Sequence, residues 1–340
     1  MCSRETAVVL SLRGQCSHSN MDRYFVPDFN QGQLAYHGHL GGKIEFDTGA
    51  LTWVLTVRNK TTRAVSQATL NSLALGENTW KVYDENNACK LENGSSLRLS
   101  LTSCGHEEFG CEDGSCEAMR TRCDGVVTCQ DETDELGCHP VIVPRSYDTN
   151  RMAPPNNNSA KTVINLEVNI MDIINIEELE GMFEVKISLV STWIDKRLSY
   201  QNLQDNEDIN VIDNSNSTWY PTYIFTNTNS DADRKIHGEK PTFKVVPDNN
   251  FSFTISDFTE SKRIRYFDGK STQLKKIETY QVGFKCTYNM EDYPFDYQLC
   301  LMQIMVKIIE TLGILTNTHH DQQVSMFCCR LRVTGTCSYI

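Results

Sequence analysis

Ten carboxylates crowd the 35 residues from Cys104 to Cys138, at positions 107, 108, 112, 113, 117, 124, 131, 132, 134 and 135. Only Arg120 and Arg122 oppose them, so the stretch carries −8 of the chain's −12. Acid packed this closely repels itself unless a cation neutralises it, and oxygen ligands select calcium over zinc. A zinc site would need paired C-x-x-C knuckles, which the stretch lacks. The plain alternative is a solvated acidic face. Six cysteines, at 104, 111, 116, 123, 129 and 138, are interleaved with the acid. So short a segment cannot bury a useful core and must be held by crosslinks or metal.

A second spacing with chemical content is "CTYNMEDYPFDYQLC", from Cys286 to Cys300. A bridge between its ends would close a loop worth ~3 kcal/mol in the chain-entropy model. Pro294 fixes φ between Tyr293 and Phe295, which have little core of their own to enter. Aromatic residues on a stapled loop suggest a contact surface, against the plain reading of a stabilised turn. Enzyme readings find no support: HExxH, GxSxG, GxGxxG and Walker patterns are all missing, and His319–His320 lacks partners at ligand spacing.

The elements that position these residues follow from composition and periodicity. The chain is long enough for two or three domains. Its pI of about 5.2 argues against nucleic acid or an anionic membrane surface as partner. Fourteen cysteines point to an oxidising compartment. Sequons at Asn59, Asn93, Asn157, Asn216 and Asn250 agree with a secretory route. "MCSRETAVVLSLRG" makes a poor signal peptide, so the natural start is expected upstream. "LCLMQIMVKIIETLGIL" is interrupted by Lys307 and Glu310 and falls short of the ~20 apolar residues that span a bilayer.

Three zones emerge. Residues 1–103 read as β-rich, from "GGKIEFDTGALTWVLTVRN" and "TWKVYDENNAC", and resemble secreted lectin-like, pentraxin-like or laminin-G-like sandwiches. Cys16 and Cys89 are available to pair there. Residues 104–138 are the acidic, cysteine-rich zone, and 139–162, with prolines and an asparagine run, read as a linker. Clean two-residue alternation then begins. Its apolar sets are Ile164, Leu166, Val168 and Ile170, then Phe183, Val185, Ile187 and Leu189, then Tyr280, Val282, Phe284 and Cys286. "FSFTI" alternates likewise, and Asp268–Gly269 suggests a hairpin turn. Half-buried antiparallel strands describe a sandwich over 163–306, followed by a divergent tail at 307–340. The fold class is therefore mainly β.

The acidic zone resembles a low-density-lipoprotein-receptor class A repeat. Phe109, Asp124–Gly125, Asp131 and Asp134–Glu135 stand where that pattern places them. The resemblance implies disulfides Cys104–Cys116, Cys111–Cys129 and Cys123–Cys138. It also implies calcium held by the side chains of Asp124, Asp134 and Glu135 with the carbonyls of Thr121 and Val126. Thr128 stands where the family has a further calcium-binding Asp, so one charge fewer should weaken the site.

The third zone resembles the extracellular domain of Cys-loop (pentameric) ligand-gated ion channels. Cys286 and Cys300 flank "YPFD" at that family's spacing, "WIDKRL" resembles its W-x-D-x-R-L strand, and "WYPTYIFTN" its W-x-P-D-x-x-x-x-N segment, with Thr222 replacing Asp. The resemblance implies a Cys286–Cys300 bridge and a loop tip of Tyr293, Pro294, Phe295 and Asp296 that presses on a channel domain. It implies a five-membered ring of subunits with ligand between neighbours. Trp193 and Arg197 would lie on the complementary face, and Trp219 and Tyr223 would belong to or support the principal face. Beyond Val306 the family pattern stops; the later ligand loops, last strands and membrane helices are expected to be missing, leaving an unpaired sheet edge. The expected function is extracellular recognition of a small molecule or peptide by a receptor truncated here. A secreted or cell-surface adhesion protein built from the same modules is the rival, and an endocytic fragment that holds basic ligands is a third reading.

Overall fold

The computed structural model describes residues 8–30, 32–58, 62–66, 74–84, 88–147, 154, 163–213, 218–228, 240–248, 252–291, 298–307 and 327–330. They fall into two compact units. Unit 1 is Met1–Cys138 with Gln201–Gln204 and Phe253–Tyr266; unit 2 is His139–Tyr200, Asp205–Ser252 and Phe267–Ile340.

Unit 1 opens with β1 (Leu10–Arg13), β2 (Tyr24–Asn30), β3 (Gln33–Gly38), β4 (Lys43–Asp47), β5 (Thr52–Thr56), β6 (Thr62–Ser66), β7 (Gly76–Asp84) and β8 (Ser95–Thr102). Each pairs antiparallel with the next, and β8 returns to β1 through Leu12↔Leu101. The result is a closed barrel, where resemblance to lectin-like folds suggested two stacked sheets. Because β8 supplies main-chain partners to both β7 and β1, no edge is left over. Leu12, Phe25, Tyr36, Ile44, Leu55, Trp80 and Leu99 fill its core. A Cys16–Cys89 disulfide crosslinks the same region.

The acidic zone follows as β9 (Glu108–Gly110) and β10 (Cys116–Ala118) with a 3₁₀ turn at Met119–Thr121. Its core is Phe109, Cys111, Met119 and Cys129, too small to hold the segment without its crosslinks.

Further along come β11 (Val141–Ile142), β12 (Ile164–Glu177), β13 (Met182–Trp193), β14 (Ser199–Gln201), β15 (Thr222–Phe225), β16 (Thr242–Pro247), β17 (Phe253–Ile255), β18 (Arg265–Asp268), β19 (Thr272–Lys285), β20 (Leu299–Met302), β21 (Ile304–Lys307) and β22 (Phe327–Arg330). One sheet runs β12-β13-β19-β16. Alternate residues of β13 are buried along its whole length, so Phe183, Val185, Ile187 and Leu189 face inward as their period of two demands. Tyr280, Val282, Phe284 and Cys286 on β19 join them, with Val168 on β12. Phe225, Met302 and Ile304, on β15, β20 and β21, belong to the same core. These contacts make the two layers of a sandwich.

Three expectations are corrected. "FSFTI" is no sandwich strand: three of its residues form β17, which falls in unit 1 with Phe253 46% exposed. So short an alternation carries no information about which core it joins. Asp268–Gly269 is not a hairpin turn, since β18 and β19 lie in different sheets. Asp268 instead caps a 3₁₀ turn by accepting from the Lys270 N–H. A Cβ at Gly269 would sit 2.3 Å from the Leu198 carbonyl oxygen, so glycine is needed for this close approach. Finally, β20 is not left unpaired: the tail returns as β22, with Cys300 opposite Cys329. Main-chain pairing needs no family-like side-chain pattern.

Candidate functional site

The repeat carries the three bonds Cys104–Cys116, Cys111–Cys129 and Cys123–Cys138. They fold the acid back on a single turn. Glu135 Oε1 accepts from the Asp124 and Gly125 N–H groups at 3.0 and 3.1 Å, and Asp124 Oδ1 accepts from the Val126 N–H. Asp134 is fully buried; its Oδ2 accepts from the Thr128 N–H at 2.6 Å and the Thr128 hydroxyl at 2.8 Å. Its Oδ1 is buried with no hydrogen-bond partner among the described residues. A buried, half-satisfied carboxylate is costly unless a cation completes it. The donor set of Asp124, Asp134 and Glu135 therefore fits a hard cation that prefers oxygen.

The electrostatics agree. Burial raises the Glu135 pKa, and the nearby Asp124 and Asp134 charges add to that rise against the two N–H donors. For Asp134 burial also pushes upward, but the Thr128 hydrogen bonds prevail and its pKa falls below the ordinary value. Thr128 thus serves Asp134 as a donor, where an aspartate would have offered another acceptor. Asp131 has a different task. It accepts from the Thr133 and Asp113 N–H groups and shapes the fold. A grouping of Cys111, Cys129 and Asp131 is no metal centre, because the two sulfurs are bonded to each other.

In unit 2, Cys286 and Cys300 are bonded, both buried, at the end of β19. The Cys286 N–H donates to the Gly181 carbonyl at 2.7 Å, and the Tyr288 hydroxyl to that of Met182. Reciprocal bonds between Asn289 and Gln298 close the loop's neck. The tip residues Tyr293, Pro294, Phe295 and Asp296 lie outside the described residues, as do Asn59, Asn157, Asn216 and Asn250. Asn93 is exposed beside the β7–β8 turn, its side-chain oxygen accepting from the Asp84 N–H.

The motif residues are brought together. Trp193 and Trp219 pack edge to face at 6.0 Å, only 2% and 5% exposed. Asp195, fully buried, receives both Nε and Nη2 of Arg197, at 2.9 and 2.7 Å. Tyr147 completes the group. Its hydroxyl donates to Asp195 Oδ2 and accepts from the Trp219 N–H, both at 2.8 Å, while Arg197 stacks over its ring at 4.5 Å. Burial raises the Tyr147 pKa far above its ordinary value, so the phenol stays protonated. Tyr223 faces the interior, and burial raises its pKa in the same way.

Sequence reasoning missed two features. Tyr147 sits in the stretch read as a linker, of which β11 pairs with β14. Lys276 is 1% exposed inside the sandwich. Its ammonium lies 4.6 Å from the Tyr220 ring centre, 5.4 Å from Tyr223 and 5.9 Å from Phe243. It donates to the Pro221 carbonyl and pairs with Glu278, both at 2.8 Å, and Glu278 also accepts from the Tyr280 hydroxyl. A signal existed: Lys276 and Glu278 share the phase of Leu274, Tyr280 and Val282, which places them on the inward face.

Fold and sites together define a disulfide-stapled β protein in which an acidic repeat precedes a sandwich of receptor type. The sequence model of the neurotransmitter-gated ion-channel ligand binding domain matches residues 143–326, more than half of the chain, and this protein belongs to that family. The low-density lipoprotein receptor domain class A matches residues 102–138. The chain therefore carries an extracellular ligand-binding region of Cys-loop receptor type. Among the described residues, no helix is long and apolar enough to cross a membrane.

Proposed function

We propose that the chain is the ligand-recognition region of a ligand-gated ion-channel-like receptor and conducts no ions by itself. The main support is the placement of the Cys286–Cys300 bridge at the end of β19, the strand whose Lys276 and Tyr280 pack against Tyr220, Tyr223 and Phe225. A small-molecule or peptide ligand that displaces that segment would act on the strand leading to the bridged loop. Tyr293, Pro294, Phe295 and Asp296 are its contact residues toward a channel domain. Five such chains in a ring would share ligand between neighbours. Trp193, Trp219 and Tyr223 act as supports beneath the ligand face, and Arg197 fixes Asp195 and Tyr147 behind them.

Calcium in the class A repeat would be held by Asp124, Asp134 and Glu135 with the carbonyls of Thr121 and Val126. Bound there, it supplies positive charge to a turn of converging carboxylates. Glycans on Asn59, Asn93, Asn157, Asn216 and Asn250 suit the extracellular side.

The test joins the full chain to the membrane helices of a ligand-gated channel and records current evoked by amine, amino-acid and peptide transmitters. Saturable current that is lost in Cys286→Ser is the expected result. Silence from chimeras shown to reach the cell surface would overturn the receptor reading in favour of adhesion.

A further inference from the structure

Gln201–Gln204 and Phe253–Tyr266 lie within the 143–326 match to the ligand-binding domain, yet both fold as part of unit 1. The longer one is fastened to the barrel. Phe258 has the guanidinium groups of Arg13 and Arg23 against its ring at 5.1 and 5.2 Å, with Tyr24 edge-on at 5.6 Å. Its carbonyl accepts from the Gly14 and Gln15 N–H groups. Arg13 donates to the Ser256 carbonyl at 2.9 Å and to the Asp257 carbonyl. Glu77 receives the Ser261 hydroxyl at 3.0 Å.

Both segments also reach the class A repeat. Arg263 donates to the Glu108 carbonyl at 2.9 Å and the Cys104 carbonyl at 3.2 Å. Gln204 Nε2 donates to the Arg122 carbonyl at 2.6 Å. The segments are tied to each other as well: the Asn202 N–H donates to the Arg265 carbonyl, and the Arg265 N–H to Asn202 Oδ1. These three acceptors on the repeat are main-chain carbonyls, so these contacts read backbone position. Arg122 lies between Thr121 and Asp124, two members of the proposed calcium set. The peptide that Gln204 holds must therefore move if that turn opens.

We propose that these two segments are the resident partner of the class A repeat and respond to its calcium. Order in 201–204 and 253–266 and calcium binding at the turn form one linked equilibrium. This rests on the calcium reading above. Linkage is reciprocal: if calcium orders the segments, the segments tighten calcium by the same factor. The consequence is regulatory. Gln201–Gln204 begins three residues after the Trp193–Leu198 motif, and Phe253–Tyr266 ends within β18, which leads through a 3₁₀ turn to β19, so extracellular calcium gains a route to ligand recognition along the chain itself.

The experiment uses the full chain, titrated with calcium alone by calorimetry, with hydrogen exchange followed with and without chelator. Chelation is expected to speed exchange at the Asn202, Ile264 and Arg265 amides while β3–β5 amides stay unchanged. Gln204→Ala and Arg263→Ala, each folded by the criterion of unchanged barrel exchange, should weaken calcium about fivefold or more. Unaltered calcium affinity in both variants, with segment exchange indifferent to chelator, would overturn the proposal while leaving the calcium reading intact. Absence of any calcium heat in the unmodified chain would overturn both. A mere packing role would alter stability without moving the calcium affinity.

Discussion

The class A repeat and the sandwich interior both concentrate charge, but they neutralise it by opposite means. In the repeat, Asp124, Asp134 and Glu135 lie within twelve residues, and the turn leaves one buried carboxylate oxygen for an outside cation. In the sandwich, Glu278 finds its cation two residues away on the same strand, and Tyr220, Tyr223 and Phe243 gather around that ammonium from other segments. The repeat's carboxylates fit a cation from outside the chain; the sandwich has supplied its own counter-ion. A site that takes its cation from outside must stay incomplete in the chain, as the proposed calcium turn does, whereas a site that holds strands together is better closed from within.

The most damaging way to break this comparison is to remove one partner of the closed pair. Lys276→Met should cost about 3–5 kcal/mol, because it removes the ion-pair partner of the buried Glu278 carboxylate. Adding Glu278→Leu should recover much of that loss, and thermal or denaturant melts of the single and double variants measure it. Recovery of nothing would mean that the aromatic contacts of Lys276, and not its charge, hold the strands.

Crosslinks come next. Cys286→Ser with Cys300→Ser should cost about 3 kcal/mol in the chain-entropy model but leave the sandwich folded, since its core extends along β13 and β19. The corresponding loss of Cys111–Cys129 removes two of the four residues of the repeat's hydrophobic cluster and should unfold that module. Limited proteolysis followed by peptide mapping distinguishes the two outcomes.

Thr128→Asp sharpens the open half of the comparison. It replaces the hydroxyl that now donates to Asp134 with a carboxylate, and calcium should bind about tenfold more tightly in calorimetry, equivalent to ~1.4 kcal/mol. If affinity falls instead, Thr128 is holding Asp134 in place for the metal.

The smallest effect concerns acid. Burial pulls Asp131 upward, yet the bonds from Thr133, Asp113 and Glu112 hold its pKa below the ordinary 3.8. A carboxyl depressed on folding contributes stability above its unfolded pKa and loses it as pH falls through the folded one. Asp131→Asn should thus cost about 1 kcal/mol at pH 7 and flatten the acid limb below about pH 3.8. Melting curves of the chelated protein from pH 2 to pH 7 would show an unchanged limb if Asp131 were idle.

The same contrast explains what could be read from the sequence. In the repeat, the chemistry is local: Asp124, Asp134 and Glu135 lie within twelve residues, and resemblance to the class A pattern singled them out together with the cysteine pairing. In β13 and β19 the period of two states which side chains face inward, and it was legible wherever the run was long. Tyr147 was not legible, because its value lies in Asp195 and Trp219, 48 and 72 residues away, and its own neighbourhood has no period. β17 was misread because three residues cannot say which core they serve. Nothing in the sequence of 253–266 announces that it belongs with Arg13, more than 240 residues earlier.

That last attachment has a consequence for how the chain is made. The barrel cannot close until Thr102 has emerged to pair with Ser11, and unit 1 still lacks Phe258 and Arg263 at that point. From Cys138 to Tyr266 another 128 residues must be synthesised, which takes roughly 6–25 s at ribosomal speed. Through that interval the first unit waits half-finished while most of the second is produced. Its four disulfides must form or be guarded meanwhile, so the chain's maturation depends on what accompanies it during synthesis as well as on its final free energy.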